Sequence, residues 1–174
     1  MKYIYLNHDM LELDPQNNYS IELLNLICDR LNRIFEQAQV EFTLQEPFYE
    51  SYHTLYLHNN QINEDLLGIA QTNNVFNLHE NLIGQVSLRS IESEVIGLKF
   101  DINSEELINS IVNTIGHEAG HLLGLIDNDG SALMMGYSDS TMMKELSLTD
   151  QQIDIISGNH AIDPSDLDIV IDIL

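Results

Sequence analysis

Between Asn103 and Asp127 the chain carries a helical hydrophobic period broken by one polar stripe, and that stripe holds two histidines a single turn apart. Asn103 followed by Glu106 is a capping-box pattern, which predicts a helix running to about Gly124. At about 100° per residue, His117 and His121 stand only about 40° apart. Ile108, Ile111, Val112, Ile115, Ala119 and Leu122 fall at about 120° to 220° from His117. Such a helix must lay its apolar face on a core while its histidine face lines a cleft. That requirement rules out a plain surface helix.

Two imidazoles on one face can grip one cation. Neutral imidazole suits zinc at about 2.0–2.1 Å, and a catalytic zinc keeps three protein ligands and a water. Glu118 lies about 100° from His117, so it flanks the ion without displacing a ligand. Gly124 can take a positive φ, end the helix and return the chain so that Asp127 presents a carboxylate as third ligand. Asp129, two residues on, is a rival for that role. In this arrangement the metal acidifies water toward a pKa of about 7, and Glu118 serves as general base. H-E-x-x-H alone recurs in unrelated chains, but its extension through Gly124 to Asp127 narrows the field. A short apolar turn with Met134 and Met135, Ser131 to Tyr137, follows at once.

These pieces together resemble the metzincin clan of zinc peptidases, which share H-E-x-x-H-x-x-G-x-x-H/D and a methionine-bearing turn. Ala132-Leu133-Met134 is similar to the turn of matrixins, and Leu148 to Ile153 resembles the opening of their C-terminal helix. Aspartate as third ligand is similar to snapalysins. Gly68-Ile69-Ala70 and Gly84 to Leu88 resemble, more weakly, strands of archaemetzincins. The resemblance is strong over residues 104–158. It implies an α+β, metzincin-like (zincin) domain spanning 1–174, with a twisted, mostly parallel sheet, an active-site helix and a C-terminal helix. Residues 1–103 would form the sheet and helix part, 104–127 the zinc helix and turn, 128–160 the methionine turn and last helix, and 161–174 an acidic tail. One catalytic Zn2+ would be held by His117, His121 and Asp127, with Glu118 catalytic. Gly124, Met134 or Met135, and Tyr137 (near the metal in a Met-x-Tyr form of the turn) would support it. Cys28 alone excludes the cysteine-bound second zinc of archaemetzincins. His53, His58 and His79 read as structural or solvated rather than as a second metal site.

The rest of the chain is read from periodicity. Ser20 is an N-cap for a helix whose core face is Leu24, Ile27, Leu31, Ile34, Phe35 and Ala38. Short strands are expected at 3–6, 40–44, around Leu55 and Leu57, and at 83–88, with a strand or extended connection at 95–100. Residues 59–80, rich in Asn and Gln, read as a long loop. Thr149 and Gln152 form a second capping box, opening a helix that ends near Gly158. Cys28 falls among Leu24, Ile27 and Leu31, the setting of a small buried hydrophobe.

Composition decides partners. Six Lys and Arg against 28 Asp and Glu give a formal net charge of -22, which repels nucleic acid and anionic membranes. A peptide or protein substrate is expected, with an edge strand at Gly84 to Arg89 receiving it. The wall from Gly136 to Met143 would favour an apolar residue after the cut, with basic residues at flanking subsites. No apolar run approaches a membrane span, and the N-terminal run breaks too early for a signal peptide, so a soluble protein is expected, cytoplasmic by default and secreted if a leader was removed. Nothing in the sequence sets an oligomeric state. The competing readings are a zinc- or peptide-binding domain without activity and a Ca2+ loop at Asp127, Asp129 and Gly130. That loop lacks its closing glutamate. A glutamate ligand from Glu145 would leave Gly124 to Asp127 and the methionine turn without a role.

Overall fold

The computed structural model describes residues 1–14, 18–48, 51–60, 67–71, 81–97, 105–126, 133–134 and 146–158. Alternating apolar residues form five strands: β1 (Lys2–Asn7), β2 (Val40–Thr43), β3 (Tyr52–His58), β4 (Gly68–Ala70) and β5 (Ile83–Ser87). They assemble in the order β2-β1-β3-β5-β4. The pairings β1–β2, β1–β3 and β3–β5 are parallel, and only β4 runs antiparallel, against β5. Parallel neighbours need a crossover. The helix α2 (Ile21–Phe35) supplies it between β1 and β2, capped as expected by the Ser20 hydroxyl, which accepts from the Leu23 N–H at 3.3 Å.

One face of the sheet builds the core. Ile4, Leu6, Val40, Phe42, Leu55, Leu57 and Val86 are buried there with Leu24, Ile27, Leu31 and Phe35 of α2. The helix α4 (Glu105–Leu122) packs beside α2 and across β3, β5 and β4, contributing Ile111, Ile115 and Ala119. A short helix α1 (Asp9–Glu12) follows β1, and α3 (Leu88–Gly97) leads from β5 toward α4. The last described helix, α5 (Asp150–Ser157), has both capping-box bonds: Gln152 N–H donates to Thr149 Oγ1 at 3.3 Å and Thr149 N–H to Gln152 Oε1 at 2.9 Å. It stops at Gly158, φ 72°. Lys2 Nζ donates to the Ile156 carbonyl at 2.6 Å, tying the end of α5 to the first strand.

Three expectations need correction. Gly84 to Arg89 is not an edge: β5 is interior, the edges among the described strands are β2 and β4, and Leu88 and Arg89 already belong to α3. β4 lies inside the stretch read as a long loop, and it is the Gly68-Ile69-Ala70 piece whose resemblance to an archaemetzincin strand holds; three residues are too few to show a period. Val95 to Gly97 are helical, because Leu88, Ile91 and Val95 form a buried helical stripe. Among the described residues no helix is long and apolar enough to cross a membrane. The tail 161–174, Asn103 and His79 lie outside the described residues.

The β4–β5 register also orients the free edge. Ser87 N–H donates to the Leu67 carbonyl at 2.8 Å, and Gln71 N–H to the Ile83 carbonyl at 3.0 Å. Alternation in an antiparallel pair then turns the N–H and C=O of Gly68 and Ala70 away from β5.

The core makes a direct prediction. Ile111 is fully buried on the apolar face of α4, so Ile111→Ala should cost about 2–5 kcal/mol, whereas Leu13→Ala, 82% exposed, should stay within about 0.5 kcal/mol. Urea unfolding midpoints measure both, and equal losses would contradict this packing.

Candidate active site

Almost every residue of α4 is buried, including polar ones, and the polar groups are matched. Thr114 Oγ1 donates to the Ser110 carbonyl at 2.8 Å, Asn109 Oδ1 accepts from Arg30 Nη1 at 2.8 Å, and Asn113 Oδ1 accepts from Leu146 N–H at 3.3 Å. Arg30 also pairs with Glu105 at 2.7 Å, clasping α2 to the start of α4. The helix is therefore held along its length before its last two turns meet the site.

Its end is a Schellman turn. Gly124 has φ 92°, Leu125 N–H donates to the Gly120 carbonyl at 2.9 Å, and Gly124 N–H to that of His121 at 3.1 Å. This turn returns the chain toward the helix, as expected of Gly124. It also brings the Leu125 carbonyl to within 3.1 Å of His121 Nδ1. On the other ring, His117 Nδ1 lies 2.9 Å from the Leu133 carbonyl. A carbonyl can only accept, so each Nδ1 carries a proton, and in the neutral rings each Nε2 keeps its lone pair. The two Nε2 atoms face one another at 3.1 Å, the rings nearly perpendicular at 88°.

Facing lone pairs require a positive charge between them. Two nitrogens on one tetrahedral zinc stand about 3.3 Å apart, so this spacing fits such an ion closely. The backbone carbonyls are the outer partners that fix the tautomer of a metal-binding imidazole. The residues present fit zinc. Among the described residues, no group of three or more His, Cys, Asp or Glu side chains is gathered. Asp127, its rival Asp129, Met135, Tyr137 and the wall from Gly136 to Met143 lie outside the described residues, as does Glu145.

Met134 is described and fully buried. It packs on α4 at Gly120: a Cβ there would lie 2.5 Å from Met134 Sδ, and one at Gly116 would lie 3.1 Å from Leu133 Cδ1. Glu118 is also buried, with 5% of its surface exposed, and its carboxylate lies against the Cα of Gly68 in β4. These three glycines were not recognised from the sequence as site-building residues. Gly116 and Gly120 had a legible signal, since two glycines one turn apart in a helix interior imply a close neighbour. Gly68 had none.

Two further described histidines make hydrogen bonds of their own. His53 Nδ1 accepts from Leu82 N–H at 3.2 Å and His58 Nδ1 from Asn60 N–H at 3.1 Å, the structural roles expected of them. Burial lowers the pKa of His58, partly opposed by its polar neighbours Asn60 and Gln85. Cys28 is buried, and desolvation pushes its thiol up to about 11, so it is a hydrophobe and not a nucleophile.

The whole architecture recurs in solved structures. An archaemetzincin from Methanopyrus kandleri matches over 91% of this chain and 94% of its own, with TM-score 0.59 and 14% identity. A zinc-dependent peptidase from Methanocorpusculum labreanum matches over 88% and 99%, with TM-score 0.57 and 14% identity. The archaemetzincin of Archaeoglobus fulgidus, complexed with malonate, matches over 88% and 99%, with TM-score 0.53 and again 14% identity. The fold is metzincin-like. No protein-family model and no curated protein sequence matches the chain. At this identity the likeness is one of fold.

The Schellman turn yields a test. Gly124→Ala places a side chain at φ 92°, costs about 1 kcal/mol or more, and loosens the Leu125 carbonyl from His121. Zinc affinity, followed by chelator competition, should fall about 10–100-fold, as when an outer partner of a metal-binding histidine is lost. Unchanged affinity would separate the turn from the histidine pair.

Proposed function

We propose that this chain is a zinc-dependent peptidase that cleaves within extended peptides. The observation that carries the reading is the pair of Nε2 lone pairs held 3.1 Å apart by proton-fixing carbonyls, with a buried carboxylate one residue along. His117 and His121 would be two ligands and Asp127 the third, with Gly124 ending the helix that leads to it. Met134 would floor the site, with Met135 or Tyr137 supporting it. Bound there, zinc supplies Lewis acidity, acidifying water and polarising a carbonyl.

Every other part of the reaction falls to the chain itself. A substrate strand added to β4 would pair with the outward N–H and C=O of Gly68 and Ala70. That addition would carry its main chain past the Glu118 carboxylate, which lies against Gly68. Glu118 would take the proton of the attacking water and deliver it to the leaving amine. Its burial keeps bulk water from competing for that proton. A purely structural zinc site gains nothing from such a base, and usually closes with a fourth protein ligand. The net charge of -22 favours basic residues at flanking subsites, and Tyr137, Met142 and Met143 would favour an apolar residue after the cut.

The purified protein should bind about one zinc per chain and cleave a mixed peptide library in a chelator-sensitive way. Glu118→Ala should retain the metal and lose about 10²–10⁴-fold in rate. A zinc-loaded parent with no hydrolysis would leave a binding domain in its place. Enrichment of acidic residues around the cuts would overturn the substrate preference.

The third ligand is tested separately. Asp127→Ala should weaken zinc binding severely and Asp129→Ala should not, and the reverse pattern in a zinc titration would move the ligand two residues along.

A further inference from the structure

Gly68 is the one residue of the edge strand whose missing side chain is replaced by a residue of the active-site helix. A Cβ built there would lie 2.6 Å from Glu118 Cγ, 2.6 Å from Oε1 and 2.8 Å from Cδ. No side chain tolerates so close an approach, so the carboxylate and a methyl group at position 68 exclude one another. Gly68 does not have a positive φ, so the glycine is not required by backbone conformation. The neighbouring inward-facing position of β4, Ala70, does carry a Cβ, and Gly84 of β5 makes room for it at 2.9 Å. The space at position 68 is thus specific to Glu118.

We infer that Gly68 is a positioning residue for Glu118: the bare backbone of the edge strand is the seat of the carboxylate. This rests on the reading of Glu118 as the general base. The seat couples two functions at one residue. The N–H and C=O of Gly68 face the free edge where a substrate strand would add, while its α-carbon lies against the base. Substrate main chain and base are thereby referenced to the same backbone atoms. A long acidic side chain would otherwise have several rotamers available, and a misplacement of about 1 Å at a reacting group can cost about 10²-fold in rate. Because Glu118 is buried, it cannot swing into solvent to admit a methyl group. Either the carboxylate moves or β4 lifts from α4.

A double-mutant cycle tests this on the full-length, zinc-loaded protein, with Gly97→Ala as control, since a Cβ at Gly97 has no neighbour within 4 Å. Gly68→Ala should lower kcat about 10–100-fold with little change in KM, and should lower the thermal unfolding midpoint. In a Glu118→Ala background the obstructing carboxylate is gone. There Gly68→Ala should cause no further loss of rate, and its effect on the unfolding midpoint should largely disappear. Gly97→Ala should alter neither. Equal effects of Gly68→Ala in both backgrounds, in rate and in unfolding, would overturn the inference and make Gly68 a strand residue only. The unfolding cycle needs no activity, so it decides the contact even if the chain proves not to be a peptidase.

Discussion

Two imidazole Nε2 atoms held 3.1 Å apart need a shared proton or another cation between them, and the surrounding structure imposes that spacing. Each is locked by a carbonyl on the far side of its ring, one from Leu125 and one from Leu133. Those carbonyls belong to segments that are positioned for other reasons. Leu125 is placed by the Schellman turn at Gly124, and Leu133 by packing with Met134 against the glycines of α4. The geometry of the histidine pair is therefore fixed by backbone, which moves less than side chains do.

The same helix serves as floor and as wall. Its apolar face rests on β3, β5 and α2, and its opposite face carries the histidines and Glu118. Buried polar groups along it, from Asn109 to Thr114, are matched by Arg30, Leu146 and the helix backbone, so their burial is compensated. Three glycines set the approach distances. Gly116 and Gly120 admit the turn that carries Leu133 and Met134, and Gly68 admits the Glu118 side chain. A Cβ at any of them meets a neighbour at 3.1 Å or closer.

Much of this was legible in one dimension. The pattern of α4 fixed the relative directions of His117, His121 and the apolar face because helical geometry is local. The caps at Ser20 and Thr149 and the stop at Gly158 were legible for the same reason: each is satisfied within a few residues. The strand at 83–87 and the helix at 88–97 were harder, since the boundary falls between adjacent residues that suit either state. β4 was least legible. Three residues carry no period, so only the likeness of Gly68-Ile69-Ala70 to a known strand pointed to it, and its place in the sheet depends on a partner strand met in space.

The sequence by itself determined the helix and its two-faced character, and with them which histidines share a side and which residue ends the helix. It also determined the acidic charge and, with Cys28 as the single cysteine, excluded an internal disulfide. Only the tertiary structure decided that β4 stands at an edge of the sheet and β5 inside it. It alone decided the tautomers of His117 and His121, because the carbonyls that hold them come from outside the helix. It alone brought Gly68 to Glu118, a residue far along the chain. The division has one physical cause: periodicity and capping act over a few residues, whereas sheet order, ring protonation and close approach are set by neighbours that only the folded chain assembles.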